Sequence, residues 1–183
     1  NGVDIDNPGT AITSTGSGAT AGNIPITGDS TNGTGVHLNA PVTSADGTVE
    51  VASDDGDIRI NSNGDITSTT GSVTIDADTA GTAADVFMAD GAVIDAGSGP
   101  IGIDADENVS LATVITSNTI DVTSENAAIV DNTIAEGANL TGSTLNLDAV
   151  TGIGSGGTLD NAGDIDINGD LLSAVNTVSG DIN

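Results

Sequence analysis

The chain has 183 residues, of which 36% are hydrophobic but only 1% aromatic, and 27 acidic residues against one basic give a formal net charge of −26. That balance excludes nucleic acid as a partner, since affinity for it comes from Lys and Arg neutralising phosphates, and an anionic membrane surface repels the chain for the same reason. Cysteine is absent, which removes disulfides and thiolate chemistry, and no run resembles a secretory signal or a membrane span.

Short apolar–polar–apolar triplets recur from one end of the chain to the other. In order they are VDI 3–5, IPI 24–26, VHL 36–38, VEV 49–51, IRI 58–60, VTI 73–75, IGI 101–103, VSL 109–111, IDV 120–122, LNL 145–147 and IDI 165–167. Alternation of this kind is the period-2 signature of a short, half-buried strand. High charge with few aromatics is otherwise the composition of a disordered chain, and the regular β-branched residues argue against that here. The segment 80–93 departs from the pattern and holds the chain's one Phe and one Met, Phe87 and Met88. It reads as a loop bulging from one turn of the fold, or as a wider core layer. The stretch 125–140, broken by Asn, Thr and Gly, reads as strand rather than helix.

The flanks repeat as well. Gly-Asp-Ile occurs at 56–58, 64–66, 163–165 and 180–182, and Ile-Thr-Ser at 12–14, 66–68 and 115–117. "GSVTIDAD" at 71–78 is echoed by "GPIGIDAD" at 99–106 and more loosely by "GSTLNLDA" at 142–149. Gly, Asn and Asp supply the backbone angles that corners require. Strands this short cannot bury an apolar face alone, whereas coils of about 20 residues stacked on one another can. The expectation is an all-β parallel β-helix spanning 1–183 as one repetitive unit, with eight or nine coils. An antiparallel β-sandwich is the alternative, although sandwiches use longer strands and usually a buried aromatic. Beginning at Asn1 and stopping at "SGDIN", the chain reads as a segment of a longer one.

The runs "GDIRINSNGDITSTTGSVTIDAD" and "GDIDINGDLLSAVNTVSGDIN" resemble the β-helical repeats of filamentous-haemagglutinin-type adhesins and of giant repetitive bacterial surface proteins. The likeness is one of pattern and composition over nearly the whole chain. It implies a right-handed coil, secretion to the cell surface, and a role in stalks or fibres that attach cells to surfaces or to one another.

Metal sites are suggested by two acidic runs. Asp164, Asp166, Asn168 and Asp170 in "DIDINGD" open like an EF-hand loop, but the twelfth position, where that loop needs a bidentate Glu, is Val175. Asp104, Asp106 and Asn108 in "DADEN" are similarly partial, and "GIGSGGTLDNAG" at 152–163 does not match a glycine-rich calcium repeat. The solenoid reading gives "DIDING" a different role: Ile165 and Ile167 inward, Asp164 and Asp166 outward, and Asn168-Gly169 turning the chain. Outward carboxylates on successive coils would sit about 5 Å apart and repel by roughly 1 kcal/mol or more, which salt or bridging calcium ions would relieve. Catalysis has little material. His37 lies between Val36 and Leu38 and faces outward, and Arg59 is placed to pair with Asp57. The expected function is a structural or adhesive segment of an extracellular fibre without catalysis and capable of self-association. The alternative is a calcium- or carbohydrate-binding module on the same scaffold.

Overall fold

A computed structural model describes residues 2–7, 9–31, 33–77, 83–134, 137–154 and 164–183. The triplets form strands, and each strand lies on a counterpart one coil earlier. The first coil comprises β1 (Val3–Ile5), β2 (Ile12–Ser14) and β3 (Ile24–Gly28), and the second β4 (Thr34–Leu38), β5 (Val42–Ser44) and β6 (Val49–Ser53). The third holds β7 (Asp57–Ile60), β8 (Ile66–Ser68) and β9 (Val73–Ala77), and the fourth β10 (Val86–Met88), β11 (Val93–Asp95) and β12 (Ile101–Ala105). The fifth and last of three strands has β13 (Val109–Leu111), β14 (Thr113–Ile115) and β15 (Thr119–Ser124). After it come β16 (Ala128–Asp131), the long β17 (Leu140–Ala149), β18 (Gly152–Ile153) and a second long strand, β19 (Ile167–Asn176).

Every pairing between these strands is parallel, which rules out the sandwich. The first face is a seven-stranded sheet in the order β1-β4-β7-β10-β13-β16-β18. The second face stacks β2, β5, β8, β11 and β14, and the third β3, β6, β9, β12 and β15. The two are joined because β17 pairs with β14 through Leu140 and Thr141 and with β15 through Thr144–Asp148. The fold is therefore a β-solenoid with five three-strand turns, continued by coils whose second and third strands have merged.

Inward residues stack into aliphatic ladders. On the third face Ile24, Val49, Val73, Ile101, Ile120 and Leu145 lie in one column. On the second, Ile12, Val42, Ile66, Ile94, Val114 and Leu140 do the same. Val42, Val49, Ile66, Val73, Ile94, Val114, Ile120, Leu140 and Leu145 are all 0% exposed. Burying each such side chain is worth about 1.5–3 kcal/mol, and like shapes at one spacing fill the interior without aromatic rings.

The coils are uneven because the corners are. Asp4 and His37, neighbours on the first face of adjacent coils, are 33 residues apart. Further along, Asp57 and Asp85 are 28 apart, Asp85 and Asn108 are 23 apart, and Asn108 and Ala128 are 20 apart. The 3-10 turn Gly18–Thr20 sits in the longest of these intervals. Corners absorb the residues that would have made further coils, so the first face has seven strands rather than eight or nine. It rises about 30 Å at a strand spacing of about 4.8 Å. Two devices hold one corner tight. Gly47, Gly71 and Gly99 follow Gly22 at the same register position, and a Cβ on each would stand 2.2, 2.2 and 2.1 Å from the carbonyl oxygen of the glycine below. Beside them the Gly71 amide donates to Ser68 Oγ at 3.0 Å, and the Ser68 hydroxyl donates to the Gly47 carbonyl at 3.0 Å. Ser44 accepts from the Gly47 amide in the same manner.

Residues 80–82, and residues 155–163 with most of "GIGSGGTLDNAG", lie outside the described residues. The rest of the segment 80–93 enters the coil: Met88 and Ala92 are in the core, and Phe87 lies on the outer side of β10. In "DIDING", Ile165 is buried and Ile167 faces inward in register with Leu140, 41% exposed because no described strand covers it, but Asn168-Gly169 makes no turn. Those two residues lie inside β19, paired with Thr141 and Gly142. The cause is β17, which runs across a corner and draws β19 into the same extended course.

Candidate functional site

Outward side chains form rows that cross the coils. The first-face row reads Asp4, His37, Arg59, Phe87, Ser110. One third-face row reads Glu50, Thr74, Gly102, Asp121, Asn146, Ser173. A second contains Asp76, Asp104, Thr123 and Asp148. Among the paired strand positions of the described residues, Asp76 and Asp104 are the one register pair in which two carboxylates adjoin.

The rest of the acidic surface is arranged differently from simple rows of like charge. An amide from a neighbouring coil donates to many of the carboxylates. Asn39 Nδ2 reaches Asp6 at 3.0 Å, Asn126 Nδ2 reaches Asp106 at 2.8 Å, and Asn146 Nδ2 reaches Asp121 at 2.6 Å. Corner carboxylates also accept backbone amides of the next coil. Asp57 takes the Asp85 amide at 3.2 Å, Asp85 takes the Asn108 amide at 2.8 Å, and Asp65 takes the Val93 amide at 3.0 Å. Each such bond fills an acceptor position of the carboxylate with a neutral N–H donor. This chain, with one basic residue, uses asparagine where another would use lysine.

The acidic runs singled out in the sequence divide among these roles. Asp104 faces outward on β12 in register with Asp76 and Thr123. Asp106, 9% exposed, is held by Asn126. Asn108 donates Nδ2 to Asp85 at 3.2 Å, and its Oδ1 accepts the Ala128 amide at 3.4 Å. Asp164 is exposed, and the Asp166 amide donates to Asn139 Oδ1 at 2.9 Å. Asn168 and Asp170 lie two apart on β19, beside Thr116, Ser117 and Thr141 around a shallow hollow. An extended strand advances about 3.3 Å per residue, so these residues do not wrap an ion as an EF-hand loop does.

The histidine and arginine sit together. His37 and Arg59 are register partners on β4 and β7. Arg59 Nη2 donates to Asp57 Oδ2 at 2.8 Å, as its sequence position suggests, and the guanidinium lies 5.4 Å from the Phe87 ring centroid, within cation–π range. His37 Nδ1 is 2.8 Å from Asp4 Oδ1 on the first coil, and its Nε2 is 2.8 Å from Asn61 Nδ2 on the third. Sequence reasoning misses Asp4, Asp6 and Asn61 as neighbours of His37, because only the register of unequal coils brings them there. No protein-family model, no curated protein and no solved structure matches this chain.

Proposed function

We propose that this chain is a structural, adhesive segment of an extracellular β-solenoid fibre, stalk or surface protein, and that it carries out no catalysis. The observation that supports this most is the edge strand β19. It spans ten residues, no described strand pairs with its outer side, and it exposes Ile167, Leu171, Leu172 and Val175 at 41%, 62%, 46% and 46%. A long, apolar, unpaired edge is a template for further strand addition, and the inward members of β19 continue the ladders of the coils beneath. Another coil laid on it, including one from a second copy, extends the rod without new chemistry. The acidic exterior keeps such a rod soluble and averse to nucleic acid. No helix of the described residues is long and apolar enough to cross a membrane. The test is electron microscopy of the purified protein across a concentration series. Rods that lengthen with concentration support the reading, and compact particles of fixed size contradict it.

A second reading, a calcium- or carbohydrate-binding module, is favoured by one place on the third face. There Asp121, Thr123, Asn146, Asp148 and Ser173 border a shallow hollow together with Val122, Leu147 and Val175. Calorimetric titration with calcium and a screen of surface glycans test it directly.

A further inference from the structure

We propose that Asp4, Asp6 and His37 form a binding site for a divalent transition metal of the zinc class, which clips the first coil to the second. One ligating atom from each side chain lies within 4.8 Å of the other two. Zinc takes imidazole nitrogen and carboxylate oxygen at about 2.0–2.2 Å, which places neighbouring ligand atoms roughly 3 Å apart or slightly more, so small rotations complete the geometry. The fold supplies the placement. Asp4 and Asp6 are two positions apart on the outer side of the first coil, and His37 is the register partner of Asp4 on β4.

What separates this trio from the chain's other acidic groups is the imidazole and the support behind two of the three ligands, His37 and Asp6. Calcium selects six to eight oxygens, whereas an imidazole with two carboxylates suits zinc, nickel or copper. Behind His37, Asn61 of the third coil contacts Nε2 at 2.8 Å and fixes the ring so that Nδ1 points to the carboxylates. Turning the Asn61 amide presents its oxygen to an Nε2–H and leaves the Nδ1 lone pair for the metal. Behind Asp6, Asn39 Nδ2 donates at 3.0 Å. Outer partners of this kind orient ligands, and losing one typically costs about 10–100-fold in metal affinity. The nearest cation, Arg59, is already balanced by Asp57. Asp4 and His37 border a hollow with Ser30, Gly33, Thr34 and Arg59, which is open to water for the remaining coordination positions.

The experiment uses the full chain after treatment with EDTA. Zinc is titrated by calorimetry, in the presence and absence of excess calcium, and followed by NMR of the imidazole. His37 is the chain's one histidine, so that signal reports on this site alone. The expected result is one zinc per chain, a shifted Nδ1 resonance, binding unchanged by calcium, and affinity at least about tenfold lower in Asn61→Ala and lost in His37→Ala. No zinc uptake, or uptake that leaves the imidazole signal in place, overturns the proposal. So does uptake that calcium displaces or that His37→Ala retains, since each marks diffuse carboxylate binding. If His37→Ala fails to fold, the imidazole signal of the unaltered chain decides.

Discussion

A single added methyl group distinguishes two kinds of glycine in this chain. A Cβ on Gly71 stands 2.2 Å from the Gly47 carbonyl oxygen, so an alanine there must push two coils apart. Gly102, on the outer side of β12, has no atom within 4 Å of such a methyl. Gly71→Ala is expected to lose about 2 kcal/mol or more, a fall of roughly 5 °C or more in Tm for a chain of this size. Gly102→Ala is expected to be neutral or to gain up to about 1 kcal/mol by restricting the unfolded chain. Paired thermal melts check both, and equal effects would mean that the glycine column is not a close-contact seam. Asn146 offers a second test at this scale, because its amide donates to Asp121 at 2.6 Å. Asn146→Asp exchanges that bond for a carboxylate pair, so Tm should fall in about 0.01 M salt and recover toward the parent value in about 1 M, where the Debye length is only about 3 Å.

At the level of strands, legibility depends on how many inward positions each strand has. First- and third-face strands bury two aliphatics two positions apart, as in Ile58 and Ile60 or Val73 and Ile75, and these are the triplets visible in the sequence. Second-face strands bury one aliphatic followed by a corner hydroxyl, as in Ile66 and Ser68, and their only trace is Ile-Thr-Ser. Even that trace misleads once: at 115–117 Ile115 occupies the outward position paired with Asp95 and Thr141, and Val114 takes the core place. The triplet at 165–167 is read correctly as inward, with Ile165 in the core and Ile167 in register with Leu140, while Leu172 continues the column of Leu145. Merging of two strands into β17 and β19 carries no local signal, because Gly142 and Asn168-Gly169 read as corner residues in the sequence yet lie inside continuous strands. Leu171 and Val175, exposed on the outward face of the edge strand β19, set the prediction here. A Leu171→Lys, Val175→Lys variant should remain folded with a nearly unchanged Tm and lose concentration-dependent growth in sedimentation velocity, as charged side chains blunt an edge. Undiminished growth would place self-association elsewhere.

For the whole molecule, charge and coil are two sides of one arrangement. A net charge of −26 on a rod suggests carboxylates facing carboxylates, yet the register sets amides, hydroxyls and one imidazole against several of them. The stacked-coil architecture is legible because short aliphatic triplets have no other way to bury themselves. The site is legible only in part. His37 and Arg59 can be identified as outward and scarce, but Asp4 lies 33 residues from His37 in the chain. Coils of unequal length hide which side chains meet. The claim beneath all of this is parallel, in-register stacking, and a disulfide measures it directly in a chain without cysteine. Thr43 and Thr67 are register partners on the outer side of adjacent coils, with hydroxyls 3.1 Å apart. Thr67 and Thr13 have a whole coil between them, a separation of about 9–10 Å at the strand spacing. Cysteine pairs bridge only when their Cα atoms are about 4.4–6.8 Å apart. The account predicts that Thr43→Cys with Thr67→Cys oxidises to an intramolecular disulfide and that Thr13→Cys with Thr67→Cys does not. Failure of the first pair, or equal bridging in both, would contradict stacked coils.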